Sequence, residues 1–267
     1  MRRSAKPALL ALLLAVCGCA TPPDSSDPAA LAEFRAINDP FEPLNRQVFA
    51  ANEAFDAMAL RPAAIFYKEI IPPPFQRGTN NFLANLRAPV ILFNDLLQFN
   101  FSAAGNTAMR FIINSTLGVG GLDDRASDFG YPQRDNDFGL TLGIWGVSDG
   151  PYLVLPGFGP SSPRDATGIA VDSALLDPLG VLGNFNSSLA DLSWARLGVG
   201  GANTRARVDG ELEDLRRTSL DFYAALRSLY RQMRAARLKE EQTAPTGQGQ
   251  GFEPIEDDYS FPDIPDD

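Results

Sequence analysis

The chain has 267 residues, 23 basic against 33 acidic side chains, two cysteines and no histidine. That balance speaks against nucleic acid and against anionic membrane faces, both of which are gripped through Lys and Arg. The missing histidine removes Ser-His-Asp and Cys-His catalysis and His-ligated zinc. Carboxylate pairs remain as an acid–base toolkit, but no motif singles one out. The expectation is a protein that is not an enzyme and needs no metal or cofactor.

The N-terminus reads as an export signal. Met1-Arg2-Arg3-Ser4-Ala5-Lys6 is a positive leader, and Pro7 to Val16 is an apolar run of signal-core length, too short to span a bilayer. A small residue and a cysteine follow, the pattern of a bacterial lipoprotein signal. Cys19, preceded by Gly18, fits better than Cys17, preceded by Val16. Lipidation of Cys19 would give lasting anchorage, at roughly 0.8 kcal/mol per buried CH2 over several chains. Ala20 rather than aspartate follows the cysteine, which points to the outer membrane. Loss of residues 1–18 leaves 20 basic and 33 acidic side chains, a net charge of −13, with nine of the acids beyond Lys239.

Residues 19–37 read as a lipidated tether. Asn38-Asp39-Pro40 opens the body, Asp39 as a cap and Pro40 in the first helical turn, with Leu44, Val48, Ala51 and Phe55 at helical spacing. Arg61-Pro62 starts a second helix that Pro72-Pro73-Pro74 stops. A third is expected over 75–87, ended by Pro89, and a fourth over 89–101, apolar nearly all round. Such a helix is buried or in lipid. Phe93, Leu97 and Phe101 are the candidate membrane-contacting residues, since none of these helices reaches the roughly 20 residues a spanning helix needs. A fifth helix over 104–117 ends at Gly118, Gly120 and Gly121.

The chain is Gly-rich from Gly118 to Gly159, without a nucleotide-binding fingerprint. These glycines suit tight turns and close backbone approach around a constriction. The candidate channel or channel-shaping residues are Asn114, Ser115, Gly118, Gly120, Gly121, Asp123, Arg125, Gly139 and Gly143. Tyr152-Leu-Val-Leu155 is a short strand-like run, and Ser162-Pro163-Arg164-Asp165 a helix start. One long helix is expected over 204–239, its Leu, Tyr and Met stripe packed inward and its arginines solvated. The acidic segment 240–267 reads as disordered.

Several segments together resemble the MlaA/VacJ lipoprotein family. They include Asn38-Asp-Pro-Phe-Glu-Pro-Leu-Asn-Arg46, Gly78-Thr-Asn-Asn-Phe-Leu-Ala-Asn-Leu86, Arg110-Phe-Ile-Ile-Asn-Ser-Thr-Leu-Gly-Val-Gly-Gly-Leu-Asp123, Asp137-Phe-Gly-Leu-Thr-Leu-Gly-Ile-Trp-Gly146 and Gly150-Pro-Tyr-Leu-Val-Leu-Pro156. The resemblance covers about residues 38–235, and the domain is taken as 38–239. It implies a mainly α single domain of many short helices with little or no β, forming a ring-like monotopic disc in the inner leaflet of the outer membrane. A polar channel there would pass misplaced phospholipids to a soluble periplasmic carrier, beside a trimeric porin. Two other readings stay open: a scaffolding envelope lipoprotein, and a lipid hydrolase working with carboxylates. The anchor assignment makes its own forecast: Cys19→Ala abolishes acyl labelling and signal cleavage, whereas Cys17→Ala leaves both intact in a labelling experiment.

Overall fold

A computed structural model of the protein describes residue 37 and residues 39–183 and 187–243; Cys19, most of the tether and the acidic segment beyond Thr243 lie outside the described residues. Helix α1, Glu42–Phe55, runs through a wide π turn, Asp56–Leu60, into α2, Arg61–Ile70. Asp39 does not cap α1, as the sequence suggested. It is buried and accepts from the Asn45 amide at 2.8 Å, the Arg227 guanidinium at 2.7 Å and the Tyr223 hydroxyl. The proline run ends α2 as expected, and Pro73 and Pro74 then fill the first turn of α3, Pro73–Leu97, where missing N–H groups cost nothing.

Helix α3 differs from expectation, because it passes straight through Pro89 instead of breaking into two helices. A proline removes one backbone hydrogen bond from a helix. Side-chain bonds to other elements hold the helix on either side of it: Asn85 Nδ2 to Ser115 Oγ at 3.0 Å, and Asn94 Nδ2 to Asp172 Oδ1 at 2.9 Å. The reversal falls later, at Phe99 in the left-handed region (φ 58°), after which the Asn100 side chain caps α4, Phe101–Thr116, by accepting from Ala103 N. No described helix is long and apolar enough to cross a membrane.

Beyond a short α5, Arg125–Asp128, come α6, Phe138–Ile144, and α7, Pro163–Val171. Each of the latter two is capped by a side chain: Asp137 accepts from Leu140 N at 2.9 Å and Ser162 from Asp165 N at 3.1 Å. They cross so closely that a Cβ on Gly168 would lie 2.4 Å from the Gly139 nitrogen. Between them is an antiparallel hairpin of β1, Leu153–Leu155, and β2, Gly159–Ser161. Two asparagines on α1 act as its third strand. Asn45 donates to Tyr152 O and accepts from Val154 N, both at 3.0 Å, and Asn52 does the same with Leu155 O and Gly157 N at 2.9 and 2.8 Å.

A second π turn, Asp172–Leu176, leads to α8, Pro178–Gly183, and to α9, Ser187–Arg207. The single long helix expected over 204–239 is instead the end of α9, then α10, Asp209–Thr218, and α11, Phe222–Thr243. The chain extends at Ser219 (ψ 140°), and Asp221 restarts the helix by accepting from Ala224 N. Three arginines of this region are not solvated as expected, although Arg217 is, at 74 %. Arg216, Arg227 and Arg234 reach across to Glu53, Asp39 and Asp137 on other elements.

Side chains are distributed inside out. Asn94, Asp95, Asn136 and Thr141 are 0 % exposed, while Phe99, Phe101, Val119 and Trp194 are about 70 % exposed or close to it. Buried polar and charged side chains outnumber buried apolar ones among the described residues, and the apolar cluster that does form is small: Tyr152, Val154 and Tyr223, flanked by Val48, Phe49 and Tyr230. The α6–α7 crossing leaves no room for a side chain at Gly168. Gly168→Ala should therefore cost about 3 kcal/mol through overpacking, read as a lower unfolding temperature in detergent. Gly143→Ala, whose Cβ would meet side-chain ends and no backbone, Leu238 Cδ1 at 2.9 Å and Arg164 Nη1 at 3.1 Å, should cost less.

Candidate functional site

The helices line an open cavity of about 1230 Å³. Its walls follow from periodicity. Along α3, Asn80, Ala84, Arg87 and Ile91 recur every three or four residues on one face, with Asn81, Asn85 and Ala88 beside them. The facing side is α9, where Gly200, Gly201, Asn203 and Thr204 keep the wall small and polar. Helix α4 adds Thr107, Arg110 and Asn114, and α11 adds Tyr230, Arg234 and Arg237.

One ion cluster fixes α11 against α6 and α7. The Arg234 guanidinium bonds both oxygens of Asp137, at 2.7 and 3.0 Å, and Asp165 Oδ1 at 2.8 Å. The Tyr230 hydroxyl donates to the other oxygen of Asp165. Burial alone would push the Asp137 carboxyl up, but Arg234 and the Leu140 N–H hold it below the ordinary carboxylate range. Glycine is required here for space, since a Cβ on Gly139 would lie 2.7 Å from Asp165 Oδ1 and 2.9 Å from the guanidinium.

From Thr107 and Asp172 in the cavity wall a continuous run of side chains passes inward and joins α3, α4, α6 and the second π turn. Thr107 Oγ1 donates to Asp95 at 2.8 Å, and Asn136 donates to the same carboxylate at 2.7 Å. Asn136 and Gln98 exchange two amide bonds at 2.9 and 3.0 Å. Gln98 also donates to Thr141 at 2.8 Å, Thr141 donates to Asn94 at 2.8 Å, and Asn94 donates to Asp172 at 2.9 Å. Burial raises the carboxyls at both ends, Asp95 and Asp172.

Of the residues singled out in the sequence, Asn114 lines the cavity. It also clamps the loop after α4, donating to Asp124 at 2.9 Å and accepting from Ala126 N at 2.8 Å. Ser115 sits beside it as the acceptor of Asn85. Gly118, Gly120 and Gly121 shape that loop and do not line the cavity. A Cβ on Gly118 would lie 2.2 Å from Asp123 O, and Gly120 and Gly121 have φ of 72° and 95°. Asp123 and Arg125 pair with each other at 2.7 Å on the surface, each about half exposed. Gly139 and Gly143 act through packing against the Arg234 cluster and Leu238. Phe93 and Phe101 are exposed, at 48 % and 68 %, and Leu97 is half-buried.

Sequence reasoning missed α9 and the arginines of α3 and α11. The signal was present in α3, whose asparagines at 81 and 85 repeat at i, i+4, but α9 alternates glycine and apolar residues without a clear face. No group of His, Cys, Asp or Glu among the described residues could hold a metal ion.

A helical shell with ion pairs inside and aromatic side chains outside is suited to a surface that meets lipid or another protein. The chain belongs to the MlaA lipoprotein family, matching its profile over residues 37–237. Among its relatives is an intermembrane phospholipid transport system lipoprotein MlaA from Haemophilus influenzae, 33% identical over 234 residues that cover 85% of this chain and 88% of the relative. The Escherichia coli protein of that name is 32% identical over 72% of this chain and 75% of its own length. An uncharacterized protein of Rickettsia felis is 36% identical over 75% of this chain and 78% of its own. A solved structure, from work on the structural basis for maintenance of bacterial outer membrane lipid asymmetry, superposes with a TM-score of 0.63 at 32% identity. It spans 75% of this chain and 98% of the solved one.

The raised Asp95 carboxyl gives a pH test. Its ordinary pKa is 3.8 and folding raises it, so above that pH the unfolded chain releases this proton before the folded one does. Fewer protons on the unfolded state mean stability lost as pH climbs towards the folded value. Asp95→Asn removes this loss. The unfolding temperature of the wild type minus that of the variant should fall as pH rises from about 4, and a difference constant with pH would contradict the assignment.

Proposed function

We propose that this protein is the outer-membrane lipoprotein of an intermembrane phospholipid transport system, removing phospholipids misplaced in the outer leaflet and passing them to a soluble periplasmic carrier. Lipidation at Cys19 anchors it on the periplasmic face, and its helices sit as a monotopic disc in the inner leaflet beside a trimeric porin. The observation that carries this reading is the inside-out architecture. A 1230 Å³ cavity whose wall sets Asn, Thr, Asp and Arg among aliphatic side chains lies within a shell that exposes Phe66, Phe75, Phe99, Phe101 and Trp194. A lipid needs that combination, because its charged head group crosses hydrocarbon only in a polar passage. The cavity is also larger than the roughly 300–1,000 Å³ of ordinary small-molecule pockets.

Other readings fare worse. A scaffolding role gives no reason for so large a cavity or for so much exposed apolar surface. A carboxylate hydrolase needs two acids free to exchange protons, but where Asp137 and Asp165 converge on the cavity Arg234 lies between them.

The test plugs the cavity. Gly200 lines it and has only Leu83 Cδ1, at 3.8 Å, near its Cβ direction. Gly200→Phe should raise outer-leaflet phospholipid and sensitise cells to detergent while the protein stays folded and acylated. Gly105→Phe, on α4 with nothing within 4 Å of its Cβ, should not. Normal outer-leaflet composition in a deletion strain would end the transport reading, and normal composition with Gly200→Phe would favour the scaffold.

A further inference from the structure

The cavity wall has the opposite charge from the protein. Eight arginines and six aspartates line it, an excess of two positive charges in a chain of net charge −10. Most of those arginines are neutralised individually. Arg110, Arg134, Arg196, Arg205 and Arg234 each hold a carboxylate of their own. Glu241 and Asp56, which hold two of these arginines, lie outside the lining, and with such partners counted two places remain where an arginine has no carboxylate to itself.

The first is Arg207. Its guanidinium donates to the neutral Asn80 amide oxygen at 2.7 Å, and among the described residues no carboxylate lies within ion-pair distance of it. The second is a shared pair. Arg87 and Arg237 both hold one carboxylate, Asp135, at 3.1 and 2.9 Å, so two cations face one anion. All three side chains are open to solvent, at 47 %, 41 % and 41 %, and so can take up a ligand. At neither place does every guanidinium have a carboxylate of its own. A phosphodiester carries one negative charge and presents oxygens in the geometry a guanidinium fork accepts.

We propose that these are two successive receptors for the phosphodiester of a phospholipid: one at Arg207–Asn80, the other at Arg87–Asp135–Arg237. Asn80 and Arg87 are seven residues apart on one face of α3, about 10 Å at the helical rise. One phosphate cannot bridge that distance, so a lipid occupies one receptor and then the other as it moves along the α3 wall. Both surroundings bind the phosphate without making a buried ion pair, so release is not penalised by a stranded charge. The inference rests on the transport reading and adds the chemical group that the passage recognises.

The test uses the full acylated chain in detergent, with binding of short-chain phosphatidylglycerol and of the matching diacylglycerol measured separately. The wild type should bind the phospholipid and bind the phosphate-free lipid much more weakly. Arg207→Gln, and Arg87→Gln combined with Arg237→Gln, should each lower phospholipid affinity about tenfold and leave diacylglycerol binding unchanged. Arg207→Lys, which keeps the charge, should retain most of the affinity. Arg217→Gln, which removes an exposed partner of Asp214 away from the cavity, should bind as the wild type does. Melting curves of all variants verify folding, and a variant that melts early is replaced by its lysine counterpart against a glutamate reversal. Glycerol phosphate should compete poorly; competition as strong as the lipid's would assign the receptors to soluble phosphate esters and overturn the proposal. So would phospholipid affinity indifferent to the arginine variants, with the transport reading left standing. A wild type that binds neither lipid would overturn the transport reading itself.

Discussion

The side-chain chain from Thr107 and Asp95 through Asn136, Gln98, Thr141 and Asn94 to Asp172 is the constraint on which the surrounding architecture depends. Few apolar side chains are buried, so hydrophobic burial holds little of this shell together. The helices are fixed to one another by hydrogen bonds between fully buried amides, hydroxyls and carboxylates. Such a network has little tolerance for error, because each unsatisfied member costs the desolvation of a polar group. It places α3 against α6 and orients the second π turn, whose Asp172 also accepts from the Phe138 N–H. The cavity wall is the other face of these same elements.

The Arg234 cluster extends this logic to the C-terminal helix. One guanidinium joins α6 through Asp137, α7 through Asp165 and α11 through itself, and Gly139 and Gly168 bring the first two close enough for that to happen. Arg227 performs a similar service at the other end of α11, where it meets Asp39 ahead of α1. The helices closest to the two termini of the described chain are therefore locked onto the middle by ion pairs far apart in sequence.

Much of the helical plan was legible because caps and breakers are local. Arg61-Pro62 and Ser162-Pro163 opened helices as expected, and Leu153 to Leu155 paired as a strand. Pro89 misled because the energetic cost of one missing hydrogen bond was judged without the neighbouring bonds that hold α3 together. The long C-terminal pattern misled for a related reason. Its stripe and charges are compatible with one helix, and the breaks at Val208 and Ser219 occur where long-range ion pairs fix separate segments. Among the site residues Asn114 was readable as polar beside the glycines. Arg87, Arg207 and Arg237 were not, since a surface arginine and a cavity arginine look alike until the opposing wall is in place. Asn45 and Asn52 belong to the same class: nothing local tells that an amide seven residues from another will complete a sheet.

The chain has only three lysines against twenty arginines, and the cavity wall contains neither lysine nor histidine. A guanidinium does not deprotonate in proteins. The cationic half of the passage is therefore fixed once the chain has folded and cannot be tuned by the acidity of its surroundings. Acid can therefore only neutralise the six aspartates of the wall and strengthen its attraction for anions, whereas alkali leaves the arginines charged.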